Sequence, residues 1–149
     1  KVASMGEMLM DRGKWVIRFP EGTRSERGAR GVYKTGAARL ALATGASIVP
    51  IAVASARCWP RKSFTFIPGT VAVSFGPPIA PSPGESAADL MEKVSGWIED
   101  EMRRIDPDAY PESQRPPDPM QQVATLSAAL EEQAAAARAA QGGLHGEDA

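Results

Sequence analysis

The chain has 149 residues, 43% of them hydrophobic, with 17 Lys and Arg against 18 Asp and Glu, one Cys and one His; that suffices for one domain with a core of its own. The single cysteine, Cys58, excludes an internal disulfide, and the single histidine, His145, lies in a Gly-flanked C-terminal tail, so a His-ligated metal or a buried catalytic His has to come from outside this chain. The formal charge of −1 hides an asymmetry: residues 1–62 hold 12 basic and four acidic residues (+8) and the rest sums to −9, so the first part suits an anionic partner, whether phosphorylated metabolite, membrane surface or, weakest for want of aromatics and nucleic-acid signatures, nucleic acid.

In chain order, Val2, Met5 and Leu9 share one helical face that ends before Gly13. Residue 1 is Lys and the pattern is already under way, so the chain is expected to be a fragment. No apolar run approaches the roughly 20 residues that cross a bilayer, and no signal-peptide order opens the sequence. Trp15, Val16, Ile17, Arg18 and Phe19 form a β-prone run stopped by Pro20, followed by a Gly- and Arg-rich loop. Residues 36–44 are rich in helix formers, with Thr35 as a cap and Gly45 as a stop. Residues 48–53 read as a buried strand interrupted by Pro50.

Strand, loop, helix and strand make a βαβ unit, which predicts an α/β fold with a mostly parallel sheet flanked by helices. Two further strands are predicted at 63–67 and 71–75, either side of Pro68 and Gly69. Residues 86–105 are the clearest helix: Ser86 and Asp89 make a capping pair, and Leu90, Val94, Trp97, Ile98, Met102 and Ile105 form a stripe that should dock on the sheet. Five prolines between 107 and 119 then mark a linker. The predicted organisation is a domain at 1–105, a Pro-rich linker at 106–120 and an Ala-rich helical or disordered tail at 121–149. In the tail Val123, Leu126 and Leu130 fall at helical spacing, a stripe too thin to fold firmly alone, which fits a frayed tail helix or a partner-binding one.

Gly28 to Thr35 approaches a nucleotide-binding P-loop, but Tyr33 stands where the loop needs Gly next to Lys-Thr, and no strand leads directly into Gly28. The run Phe19-Pro20-Glu21-Gly22-Thr23-Arg24-Ser25 is the informative one. Gly22 permits a tight turn, and Arg24 offers a planar fork of donors that suits a phosphate as Lys does not. Glu21 can orient Arg24 or accept a hydroxyl, Lys34 adds a point charge, and the helix beginning near Gly36 turns free N–H groups and a favourable dipole toward an anion.

This run closely resembles the 1-acylglycerol-3-phosphate acyltransferase (lysophosphatidic acid acyltransferase) family. The resemblance continues through residues 34–41 (Lys-Thr-Gly-Ala-Ala-Arg-Leu-Ala), residues 48–52 (Ile-Val-Pro-Ile-Ala) and the Phe75-Gly76-Pro77-Pro78-Ile79 segment, covering about residues 5–105. It implies a partial glycerophosphate acyltransferase-like domain. It implies that Glu21, Gly22, Thr23, Arg24 and Lys34 bind the glycerophosphate and that Pro50 shapes the acyl or substrate pocket. The implied chemistry transfers a fatty acyl group from acyl-CoA or acyl-carrier protein to lysophosphatidic acid, with no metal and no further cofactor, at a membrane surface on the cytoplasmic face of the inner or plasma membrane.

In that family a His-x-x-x-x-Asp motif upstream supplies the general base, and neither residue is present here; His145 cannot replace it, because Asp148 lies three residues away rather than five. The catalytic pair is therefore expected before Lys1, and the chain alone is expected to be inactive. A non-catalytic phosphate- or lipid-binding fragment, or an enzyme acting on another lysolipid, would carry the same motifs.

Overall fold

The amino end folds as the helix its pattern predicts, α1 (Val2–Asp11), with Gly13 just beyond it. The computed structural model describes residues 2–115 and 119–142, divided into two units, Lys1–Arg115 and Pro116–Ala149. In the first unit α1 packs on α2 (Gly36–Thr44) through Gly6, which lies against Leu40, while Met5 and Leu9 of the predicted stripe stay exposed. Helix α2 has the predicted bounds and ends at Gly45 in left-handed conformation; Thr35 stands at its start without a side-chain capping bond.

The core lies between α2 and a longer helix, α3 (Ala87–Ile105): Ala38 and Ala41 meet Leu90, Met91 and Val94, with Tyr33, Ile48, Ile79 and Ile98 packed around them. A fully buried Leu or Val contributes about 1.5–3 kcal/mol here. Small residues on α2 let the two helices approach closely.

The sheet departs from expectation. Among the described residues it consists of β1 (Ile51–Ala54) and β2 (Ala72–Phe75), paired antiparallel with Ala52 opposite Ser74 and Val53 opposite Val73. The mostly parallel sheet is thus replaced by an antiparallel pair. The pairing extends past Pro50, where the missing N–H breaks the ladder: Gly76 N–H donates to the Pro50 carbonyl, and Ile48 and Ile79 exchange both bonds at 2.8 Å.

The parallel partner predicted at 15–19 does not form. Its Phe19 carbonyl is taken up in a turn by Gly22 N–H, Trp15, Ile17 and Phe19 are 89, 75 and 83% exposed, and none of residues 15–19 enters a ladder among the described residues. The strand predicted at 63–67 is also absent. There the Ser63 hydroxyl accepts from Thr65 N–H and donates to the Thr65 carbonyl, giving the backbone a local alternative to a ladder.

The longer helix, α3 (Ala87–Ile105), follows its pattern. The Ser86 side chain accepts from Asp89 N–H at 3.1 Å, Leu90 and Val94 are buried, and the helix lies on α2 and on the Ala52/Ala54 face of β1. Trp97 covers Gly76 and Pro50: a Cβ on Gly76 would come within 2.8 Å of both.

Residues 106–115, predicted as linker, belong to this unit. They form two 3-10 turns, Pro107–Ala109 and Glu112–Gln114, and bury Asp106 and Tyr110. The second unit is one described helix, α4 (Pro119–Gly142), on which Val123, Leu126 and Leu130 are exposed. Residues 143–149 of the predicted 121–149 tail, His145 among them, lie outside the described residues.

Candidate functional site

The 19–25 run forms a turn rather than a strand end. Gly22 N–H donates to the Phe19 carbonyl at 3.1 Å, and Gly22 sits at φ 70°, a conformation that other residues adopt at a cost. The next stretch returns to this turn: Lys34 N–H donates to the Pro20 carbonyl at 2.9 Å, and a Cβ on Gly22 would lie 3.0 Å from the Lys34 Nζ. Two of the predicted phosphate ligands, the Gly22 turn and Lys34, are therefore in contact. Residue 35 caps α2, so the same hydrogen bond sets the amino end of that helix beside the turn.

Glu21 and Arg24 diverge. The Ser25 hydroxyl donates to Glu21 Oε2, and the carboxylate lies against Gly31, where an added Cβ would displace it. Arg24 is held elsewhere: its guanidinium carbon lies 4.1 Å from the centroid of the Trp59 ring. The expected orienting bond from Glu21 to Arg24 is replaced by a bond within the turn and an aromatic stack outside it. Thr23 is exposed at the tip. Pro50 is fully buried under Trp97.

The loop after the turn is clamped from the far end of the unit. Arg27 donates to Asp106 twice, Nε to Oδ2 at 2.8 Å and Nη2 to Oδ1 at 2.6 Å, and Arg57 reaches Asp106 at 3.3 Å and Asp108 at 3.0 Å. The Asp106 side chain is 7% exposed. The Arg27 hydrogen bonds hold its carboxyl below the usual range despite an opposing desolvation, with the Arg27 and Arg57 charges adding to the effect. Beneath the loop, Tyr33 donates to Glu99 at 2.8 Å; burial first, then that bond and the charges of Glu99 and Glu21, push its phenol far above the ordinary value. Tyr33 is thus a neutral donor in the core, which accounts for a Tyr where a P-loop needs Gly.

Sequence reasoning missed three contributors. Arg18 lies at the start of α2: a Cβ on Gly36 would be 2.9 Å from its Nη2. Its place in an apparent strand gave no cue. Trp59 and Asp106 lie 35 and 82 residues beyond Arg24, and no local pattern ties them to it. Among the described residues Arg18, Arg24 and Lys34 make no ion pair, whereas Arg27, Arg30, Arg57 and Arg61 each do. Lys34 against the Gly22 turn and Arg18 at the start of a helix with no acid in its first turn suit a phosphate dianion, and Arg24 leaves the same turn toward Trp59.

The protein family described as Acyltransferase matches residues 1–54. A 1-acyl-sn-glycerol-3-phosphate acyltransferase of Pseudomonas aeruginosa is 34% identical over 109 residues, covering 72% of this chain and 42% of the relative. One of Cocos nucifera is 32% identical over 116 residues, covering 77% and 36%. The crystal structure of the 1-acyl-sn-glycerophosphate (LPA) acyltransferase PlsC from Thermotoga maritima superposes with a TM-score of 0.66 at 24% identity over 71% of this chain and 44% of that one, a likeness of fold. The chain spans less than half the length of these relatives.

Proposed function

The chain belongs to the acyltransferase family, and from that premise we propose that its protein transfers a fatty acyl group from acyl-CoA or acyl-carrier protein to the free hydroxyl of 1-acylglycerol-3-phosphate, giving phosphatidic acid. The observation that carries the proposal is the Gly22 turn that bears Arg24, with the Lys34 ammonium against it and the Arg18 guanidinium at the amino end of α2.

In this reading the acceptor's phosphate sits between the Lys34 ammonium and the Arg24 guanidinium, with Arg18 and the free N–H groups of α2 completing the charge. Glu21 and Ser25 brace the turn from within. Holding the phosphate fixes the glycerol relative to the reacting centre and turns a bimolecular encounter into an oriented one. The hydroxyl oxygen then bonds the thioester carbonyl carbon, the carbon–sulfur bond breaks, and the hydroxyl proton passes through the base to the departing thiol. That base is the His of the upstream His-x-x-x-x-Asp motif, and the residues of this chain bind and orient. A lipid acceptor implies work at a membrane surface, and an acyl-CoA or acyl-carrier-protein donor puts it on the cytoplasmic face; among the described residues no helix is long and apolar enough to cross a membrane. Neither a metal nor a cofactor enters this scheme.

Arg24→Ala in the full-length protein tests the assignment. Loss of a charge-assisted contact costs about 1.5–3 kcal/mol, or at least about tenfold in acceptor KM, with the donor KM unchanged. An unchanged acceptor KM would remove Arg24 from the site. A panel of lysolipids with and without a terminal phosphate separates lysophosphatidic acid from other acceptors.

A further inference from the structure

We infer that Trp59 is a positioning residue for the acceptor phosphate: its indole face holds the Arg24 guanidinium so that the donor edge of the fork is presented to the anion. The inference rests on the reading that Arg24 binds that phosphate. Arg24 is an exposed, long side chain on a turn, without an ion pair or a hydrogen bond among the described residues. Its guanidinium carbon lies 4.1 Å from the centroid of the Trp59 ring.

Geometry makes that contact compatible with ligand binding. Guanidinium is planar: stacking on an aromatic ring uses its face, whereas its N–H donors point outward in the plane. A stacked Arg therefore keeps its whole bidentate edge for a phosphate, which an Arg paired with Glu21 would not. Ordering the side chain before the ligand arrives also lowers the entropy cost of binding.

Trp59 is itself held firmly enough to serve. Its N–H groups are both used: the backbone N–H donates to the Ser55 carbonyl at 2.8 Å, and Nε1 donates to the Ser63 carbonyl at 3.0 Å. Phe66 stacks on it with centroids 4.8 Å apart and a tilt of 39°, and the base of the segment is closed by Ile67 N–H donating to the Cys58 carbonyl at 2.8 Å. The same Ser63 hydroxyl that stops residues 63–67 from becoming a strand thus folds the segment into a support for the ring. Arg61 ties it back to the motif loop through Glu26 at 3.8 Å.

The test compares Trp59→Leu, Trp59→Phe, Arg24→Ala and the double variant Arg24→Ala/Trp59→Leu in the full-length protein, reading KM for acceptor, KM for donor, kcat and melting temperature. Trp59→Leu is expected to raise the acceptor KM about fivefold with kcat and donor KM unchanged, Trp59→Phe to stay within about twofold because a ring face remains, and Trp59→Leu to add nothing once Arg24 is gone. If the Leu variant does not fold, Trp59→Met supplies bulk without a ring face. The inference is overturned if Arg24→Ala raises the acceptor KM and Trp59→Leu does not, if the two effects multiply, or if Trp59→Leu lowers kcat and shifts both KM values together. An Arg24→Ala variant with an unchanged acceptor KM instead overturns the phosphate assignment itself, and is recognised from that single variant.

Discussion

At Gly28 a single hydrogen atom decides whether the motif loop can reach its seat. The residue has φ 78°, and a Cβ there would stand 2.0 Å from the Ala109 carbonyl oxygen, a backbone atom that cannot move aside alone. Gly28→Ala is therefore expected to destabilise the protein by about 1–3 kcal/mol, measured by denaturant unfolding. Gly84→Ala is the control: its φ is 77° but nothing lies within 4 Å, so the backbone term remains alone, about 1 kcal/mol. Gly22 couples the same restriction to the site. A Cβ there meets the Lys34 ammonium at 3.0 Å, and Gly22→Ala should raise the acceptor KM by displacing that charge as well as lowering stability.

Between elements, the motif loop and the end of α3 are joined by Arg27, Arg57 and Asp106. Asp106→Asn removes the charge that pairs with both Arg27 and Arg57; the expected loss is about 1.5–3 kcal/mol. Because Asp106 titrates below its unfolded value, its contribution is complete above the ordinary carboxylate range and fades as pH falls through its lowered folded value. Glu101 behaves alike: the Arg104 hydrogen bond, then that from Ser74, hold it at about 2 against an ordinary 4.5, so the tie between α3 and β2 weakens between those limits. The melting temperature should accordingly fall as the solution is acidified from pH 5 toward about 2, and Asp106→Asn should flatten that fall. A steeper acid dependence in the variant would refute the role given to this carboxylate.

For the whole molecule, the two faces of the sheet differ sharply. Ala52 and Ala54 are covered by α3, whereas Val53, Val73 and Phe75 on the other face are exposed, as are Trp15 and Phe19. An apolar surface of this kind is normally covered. An acyl-transfer assay on the isolated 149-residue chain with acyl-CoA and lysophosphatidic acid is expected to show no turnover; robust turnover would refute the need for an upstream base. The sequence by itself determined what depends on neighbours along the chain. The bounds of α2, the Ser86 cap and stripe of α3, the strand at Ala72–Phe75 and the turn at Gly22 follow from caps, periodicity and glycine, which act over three or four residues. The acyltransferase family was legible for the same reason, since its motif is a contiguous run. Tertiary structure decided which strands pair and which side chains meet. The antiparallel match of β1 to β2, the loss of the strands at 15–19 and 63–67, the seat of Glu21 against Gly31, and the hold of Trp59 on Arg24 and of Asp106 on Arg27 all join residues brought together only when the helices close on the sheet. Pairing energy depends on the partner's geometry, and no local pattern carries that partner's address.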